Sequence, residues 1–241
     1  AHVTVRDTLL DWSNEIPTQA VVKRVSGPDD VSPLSLETIK ARIGQAISDQ
    51  SFYGLEWEDH PVVGITPAPV NGPLNVFVRP SAPGQKAWGM TGPGRFKIAD
   101  DEAVILTIEK QSAAYIGVQI TDPWLISRDY VNRTTSLNNA QAWSNPDNTI
   151  TYVISKSDPG VQNWLDTVGL NEVSLMLRME MFEDEPNPNT VLREVKVVGL
   201  DEVASVIPHA MPAASPEERQ AQIERRRSAY DLRVKTLAPG R

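Results

Sequence analysis

Residues 174–181 read SLMLRMEM, and this stretch decides the fold class. Leu175, Leu177, Met179 and Met181 fall on one face of an extended chain, with Arg178 and Glu180 on the other. Successive side chains of a strand point to opposite sides, so this period of two predicts a half-buried antiparallel strand. Similar segments lie on either side of it. Residues 103–110 (AVILTIEK) are rich in β-formers, and residues 114–120 follow after a short Gln-Ser connection that suggests a hairpin. Residues 149–155 (TITYVIS) come after an Asn-Pro-Asp-Asn turn, and residues 191–198 come after EDEPNPN. Short strands separated by turn signals predict a mainly β protein, an antiparallel jelly-roll-like β-sandwich.

Helix is expected near each end. Ser35 is a plausible N-cap, and Leu36, Ile39, Ile43 and Ile47 recur at helical spacing up to about Gln50. Before it, residues 8–15 form an irregular or helical lead-in, and residues 27–30 a loop. Between 61 and 94, dense proline and glycine leave only short extended pieces at 62–66 and 74–79, read as edge strands and long loops. SPEE at 215–218 is a capping box with Pro216 at the first helical position. A charged helix follows to about Lys235, with Ile223, Tyr230, Val234 and Leu237 as its apolar stripe and ERRR at 224–227 as a solvated face. Such a polar helix is not stable alone and is expected to dock on the sandwich or on a second subunit, giving a homo-oligomer through the C-terminal helix. The layout is therefore a lead-in at 1–60, a sandwich at 61–205 and a helical tail at 206–241.

Composition excludes several functions. The 241 residues contain no cysteine, so disulfides, thiolate metal sites and a cysteine nucleophile are ruled out. The net charge of -8 disfavours general binding to nucleic acid or anionic lipid. No apolar run approaches the roughly 18 residues of a membrane span, so a soluble protein is expected, with the cytoplasm as its compartment. The chain begins at Ala1 without a signal pattern, as a cut or processed chain would. His2, His60 and His209 stand in no ligand spacing, GMTGPGRF lacks the Lys-Ser/Thr of a phosphate loop, and no metal or cofactor is expected. Asp100, Asp101 and Glu102 supply hard oxygens suited to calcium but read better as a solvated turn.

Three segments, GPGRFKIADDEAVILTI, AYIGVQITDPWLISRDYVNRTTSLN and SDPGVQNWLDTVGL, resemble the DUF1214 family in their order and spacing. The resemblance runs from about Gly92 to Arg178 and extends to SPEERQAQIERRRSAY near the C-terminus. It implies a jelly-roll type of β-sandwich, in some members coupled to a DUF1254 domain, of which no clear part is read in these residues. The family brings no settled activity with it.

The densest polar residues lie in the connections that flank the strands, where function concentrates. Asp158 and Asp166 are candidates for acid and base, and Arg133 for an anion clamp. Trp124 and Trp164 could stack a sugar or an aromatic ring, with Asn132, Asn138 and Asn163 supplying polar contacts. The two longest motifs are expected to converge on Arg133, within reach of Asp158 or Asp166. The competing reading is structural: Asp-Pro pairs are ordinary turn chemistry, Trp164 suits a core, and Arg133 could brace loops. Three functions follow: a small-molecule or glycan binder, a metal-free hydrolase or lyase, or an oligomeric structural protein.

Overall fold

A computed structural model describes residues 7–23, 25–27, 33–55, 68–79 and 89–237, with backbone alone at 52–55 and 236–237. Among the described residues nine strands form two sheets. The first sheet has the order β1 (Phe77–Val78), β2 (Gly89–Lys97), β8 (Glu172–Phe182), β4 (Ala113–Thr121) and β5 (Ser136–Asn138). The second has the order β7 (Trp164–Asp166), β6 (Thr149–Ser155), β3 (Glu102–Glu109) and β9 (Leu192–Gly199). The described helices are α1 (Leu36–Leu55), α2 (Pro188–Val191), α3 (Val203–Val206) and α4 (Pro216–Leu237). The protein is thus a jelly-roll-like β-sandwich with a helix near its N-terminus and another at its C-terminus. Among the described strands the pairs are antiparallel except β6 with β7, which is parallel.

The central core lies between the sheets. Ile116, Val118 and Ile120 of β4 and Val173, Leu175, Leu177 and Met179 of β8 meet Val104, Leu106 and Ile108 of β3 and Ile150, Tyr152 and Ile154 of β6. The alternation read in β8 therefore holds to Met179. It breaks at Met181, which is 52% exposed and has a φ of 56°. On its opposite face Glu180 is buried, held by Arg79 Nη2 at 2.9 Å and by the Thr8 hydroxyl at 2.7 Å.

The second sheet is covered on both faces. Ala103 and Ile105 of β3 and Val153 of β6 point away from the central core and pack with Val161, Trp164, Val203 and Met211. The chain after β9 thus supplies the second cover, and α3 spans the boundary drawn near residue 205 in the sequence. Burial on both faces explains why AVILTI is a continuous apolar run rather than an alternating one.

Two expectations need correction. Residues 103–110 and 114–120 do not form a hairpin, because β3 pairs with β6 and β9 whereas β4 pairs with β5 and β8. The short connection carries the chain from one sheet to the other. Second, the Gly- and Pro-containing segment GMTGPGRFK is a full strand, paired with β8 from Gly89 to Lys97. Pro93 is tolerated because its carbonyl accepts from the Asn75 N–H at 2.9 Å. In a strand both backbone groups of a residue point the same way, so the missing N–H faces away from β8. The strand expected at 62–66 lies outside the described residues.

The helix caps follow their sequence signals. Ser35 Oγ accepts from the Thr38 N–H at 3.1 Å. Ser215 and Glu218 form a reciprocal box, with Glu218 N–H donating to Ser215 Oγ at 3.2 Å and Ser215 N–H to Glu218 Oε2 at 2.7 Å. Along α1, Leu36, Ile39, Ile43 and Ile47 are exposed among the described residues. Helix α4 packs on the sandwich through Ile223 and two arginines, whereas Val234 of its expected stripe is exposed. No helix among the described residues is long and apolar enough to cross a membrane.

Tyr152 is fully buried in the central core, and its hydroxyl has no hydrogen-bond partner among the described residues. Burial pushes its ionisation far above that of an ordinary phenol. A buried polar group without a partner costs about 1–3 kcal/mol. Tyr152→Phe is therefore expected to raise stability by about 1 kcal/mol in urea titration; a loss of that size would show that the hydroxyl is bonded in solution.

Candidate ligand-binding site

The outer face of the five-stranded sheet is roofed by the two ends of the described chain, and the roof does not close completely. It leaves a cavity of about 680 Å³. Its floor is Tyr115, Gly117 and Gln119 of β4 with Met176 and Arg178 of β8. One wall is the lead-in from Leu10 to Ser13. The facing wall is α4, through Gln222, Arg225, Arg226, Ala229 and Tyr230. These positions recur at intervals of three and four, which puts them on one face of a helix. Ser136, Asn138, Ala140 and Gln141, with Tyr130, contribute to the lining around β5.

Two local features open the floor. Gly117 has no side chain, and the Tyr115 phenol lies over it: a Cβ at 117 would sit 2.6 Å from the Tyr115 hydroxyl. Burial raises the Tyr115 pKa, and the nearby Glu180 carboxylate raises it further. Asn138 then ties the lead-in to the sheet. Its Nδ2 donates to Leu10 O at 2.8 Å, while its Oδ1 accepts from the Ala140 and Gln141 N–H groups at 3.1 Å each.

The cavity is rich in arginine and aromatic rings. Arg226 donates from Nε to Tyr130 O at 3.0 Å, from Nη1 to Ser136 O at 2.8 Å and from Nη2 to Ser136 Oγ at 3.0 Å. All three acceptors are neutral. Burial pulls the Arg226 pKa down to about 10. Arg225, the next lining cation, makes no hydrogen bond or ion pair among the described residues. Tyr130 and Tyr230 meet edge to face at 5.9 Å, and burial with the Tyr230 hydroxyl nearby raises the Tyr130 pKa. Trp12 completes the aromatic set, with Arg233 lying 4.5 Å over its ring.

The residues singled out in the sequence occupy several places. Arg133 and Asp166 do meet, with Nη1 and Oδ2 3.2 Å apart, the arginine side chain 55% exposed and the aspartate 2%. Asp166 also accepts from the Val168 N–H at 2.7 Å, and Val168 has a φ of 55°. A β-branched residue rarely adopts that conformation, so the carboxylate holds a strained turn. Asp158 is not at Arg133: its carboxylate receives Arg219 Nε at 2.8 Å and Nη2 at 3.2 Å, and it caps Gly160 N–H at 2.9 Å. Arg219 also donates to Val161 O and lies 5.1 Å over the Trp164 ring, locking α4 to the sandwich.

The remaining residues are placed as follows. Trp164 is 7% exposed in the second core, and its indole N–H donates to Ser155 O at 3.2 Å, so it presents no stacking surface. Asn163 is fully buried, bonded to both backbone groups of Trp143 and to Thr151 O. Asn132 bonds Asp129 and receives Arg227 at 2.7 Å. Trp124 is 56% exposed on the turn after β4 and lies outside the cavity lining. Of these candidates, Asn138 lines it.

The lining residues overlooked in the sequence had a signal that pointed elsewhere. Arg178 stood on the polar face of SLMLRMEM, and Arg225 and Arg226 stood in ERRR; both patterns read as solvent faces. The partial burial of Arg226 overturns that reading for one of them, because the helix lies across the sheet. The heptad spacing of 222, 225, 226, 229 and 230 was visible, but polar residues at that spacing do not announce a buried face. Asp100 pairs with Lys156 at 2.6 Å and accepts from Asn171 at 2.8 Å. Among the described residues no group of three or more histidine or acidic side chains could hold a metal ion.

No family model matches the chain, and no curated protein does. Among solved structures, it is similar to an uncharacterized protein from Burkholderia cenocepacia, with a TM-score of 0.64 and 24% identity over 81% of this chain and 53% of that one. The chain therefore spans about half the length of that protein, and the likeness concerns the fold alone. A protein from Vibrio parahaemolyticus is also found, at a TM-score of 0.35 and 15% identity over 45% of this chain and 30% of that one.

Two substitutions check the bracing. Arg133→Ala leaves a buried carboxylate with only the Val168 N–H, and is expected to cost about 2 kcal/mol, less than a fully buried pair because the guanidinium is half in water. Equilibrium denaturation measures it, and an unchanged midpoint would mean the pair contributes nothing. Asn138→Ala removes the tie to Leu10. Hydrogen exchange of the backbone at residues 8–14 should then rise, while that of β3 and β6 stays unchanged; equal protection in both proteins would show the lead-in is held some other way.

Proposed function

We propose that the protein binds a small organic molecule in the cavity between β4, β8, the lead-in and α4. The observation that carries this reading is the cavity itself, about 680 Å³ in volume and walled by three distant parts of the chain. Small-molecule sites commonly occupy roughly 300–1,000 Å³ and combine apolar walls with a few placed polar groups. Leu10, Met176 and Ala229 supply apolar surface here, the tyrosines supply rings, and the arginines and Gln162 supply donors. A glycan is the other ligand class considered; Trp124, the exposed indole suited to it, lies outside the lining. The hydrolase or lyase alternative draws no support from the cavity, because Asp158 and Asp166 lie outside it and each is bonded to an arginine. The DUF1214 resemblance carries no activity, so the reading stands on the cavity alone.

Crystals soaked with a chemically varied fragment set, neutral sugars included, test the proposal together with thermal melting. Bound fragments should collect in the cavity and raise the melting temperature, since a ligand at about 100 times its Kd stabilises the native state by about 2.7 kcal/mol. Ala229→Trp, which fills the cavity from α4, should abolish both effects. Fragments that gather elsewhere, or stabilisation that survives this substitution, would defeat it.

A further inference from the structure

We infer that the molecule held in this cavity is an organic oxyanion, a carboxylate or a phosphate or sulfate ester on an aromatic body, with Arg225 and Arg226 gripping its charged end. The inference rests on the cavity being a binding site and adds the class of ligand. Its first support is a contrast of charge. The whole chain carries -8, yet α4 brings Arg225 and Arg226 into a lining whose one carboxylate among the described residues is Asp11. That carboxylate is occupied in its own turn, accepting from the Ser13 N–H at 3.0 Å and from Asn14 Nδ2 at 2.6 Å.

The second support is the bonding of Arg226. A guanidinium has five N–H donors in a planar fork suited to two oxygens of one anion. Arg226 uses three of them, all on neutral oxygens of Tyr130 and Ser136. It is partly removed from water without a carboxylate partner among the described residues, and a buried charge without a counterion is costly. An anion entering the cavity would supply that counterion. Arg225 follows on the same helix, also lines the cavity, and is not engaged by any described residue. The body of the ligand has its own surface: the Tyr130–Tyr230 pair, Tyr115 lying over Gly117, and Met176.

The probes are one matched pair and a phosphate ester on the full chain, followed by calorimetric titration: 4-hydroxyphenylacetate, its uncharged amide, and phenyl phosphate. At least one of the two oxyanions should bind about tenfold or more tightly than the amide, the gain typical of a charged hydrogen bond. Which of them binds better separates a carboxylate from a phosphate ligand. Arg225→Gln removes a side chain that bonds no described residue, so the fold is expected to persist, and oxyanion affinity should fall about tenfold while the amide is unaffected. Arg226→Lys keeps the charge but not the fork and should weaken the oxyanions as well. If acid and amide bind equally and both are lost in Ala229→Trp, the oxyanion inference falls while the cavity remains the binding site. If the oxyanions bind Ala229→Trp as tightly as the natural protein, both readings fall. Absence of binding by every probe also overturns the oxyanion inference and leaves the cavity to the fragment soak.

Discussion

Ala103, Val104, Ile105 and Leu106 are all fully buried, so β3 has no face it can turn to water. A strand of this kind must find apolar partners on both sides. The first side is met by the other sheet. The second is met by the chain after β9, where Val203 and Met211 pack with Val161 and Trp164. That placement determines where α4 begins: the Gln162 N–H donates to Pro212 O at 3.0 Å and the Ala214 N–H to Gly160 O at 2.8 Å, just before the Ser215 cap. The helix then runs from the covered sheet toward β5 and the outer face of the other one.

The two sheets are consequently covered in different ways. Apolar packing seals the outer face of β3 and β6. The outer face of the five-stranded sheet is met by polar contacts: Arg226 on Ser136 and Asn138 to Leu10 O at β5, and Glu180 of β8 with Arg79 and Thr8. Such side chains span several ångströms without filling the space beneath them. A cavity is the geometric result, and its polarity follows from the residues that span it. Arginine suits this position because its fork can bond backbone carbonyls while its stem packs against the sheet.

The same reasoning separates the brace residues from the lining residues. Asp158 and Asp166 each hold an arginine and a backbone N–H, which ties α4 to one loop and holds a strained turn in the other. Asn163 satisfies three backbone groups in the interior. These are polar groups whose removal from water is compensated by full bonding. The Arg226 guanidinium, with donors to spare and no carboxylate partner among the described residues, stands apart from them.

Much of the sandwich was legible in the sequence. Period two in β8, the turn signals and the capping box at Ser215 are local properties, and each reports directly on a strand, a turn or a helix end. The tertiary structure alone decided that β3 and β4 belong to different sheets, that a segment with three glycines and a proline is a strand along β8, and that α4 lies across the outer face with ERRR partly beneath it. It also decided the site, whose tie between Asn138 and Leu10 joins residues 128 apart. Side-chain periodicity states which residues share a face. It does not state what that face will meet, because that depends on strand pairings and cover segments brought together from opposite ends of the chain.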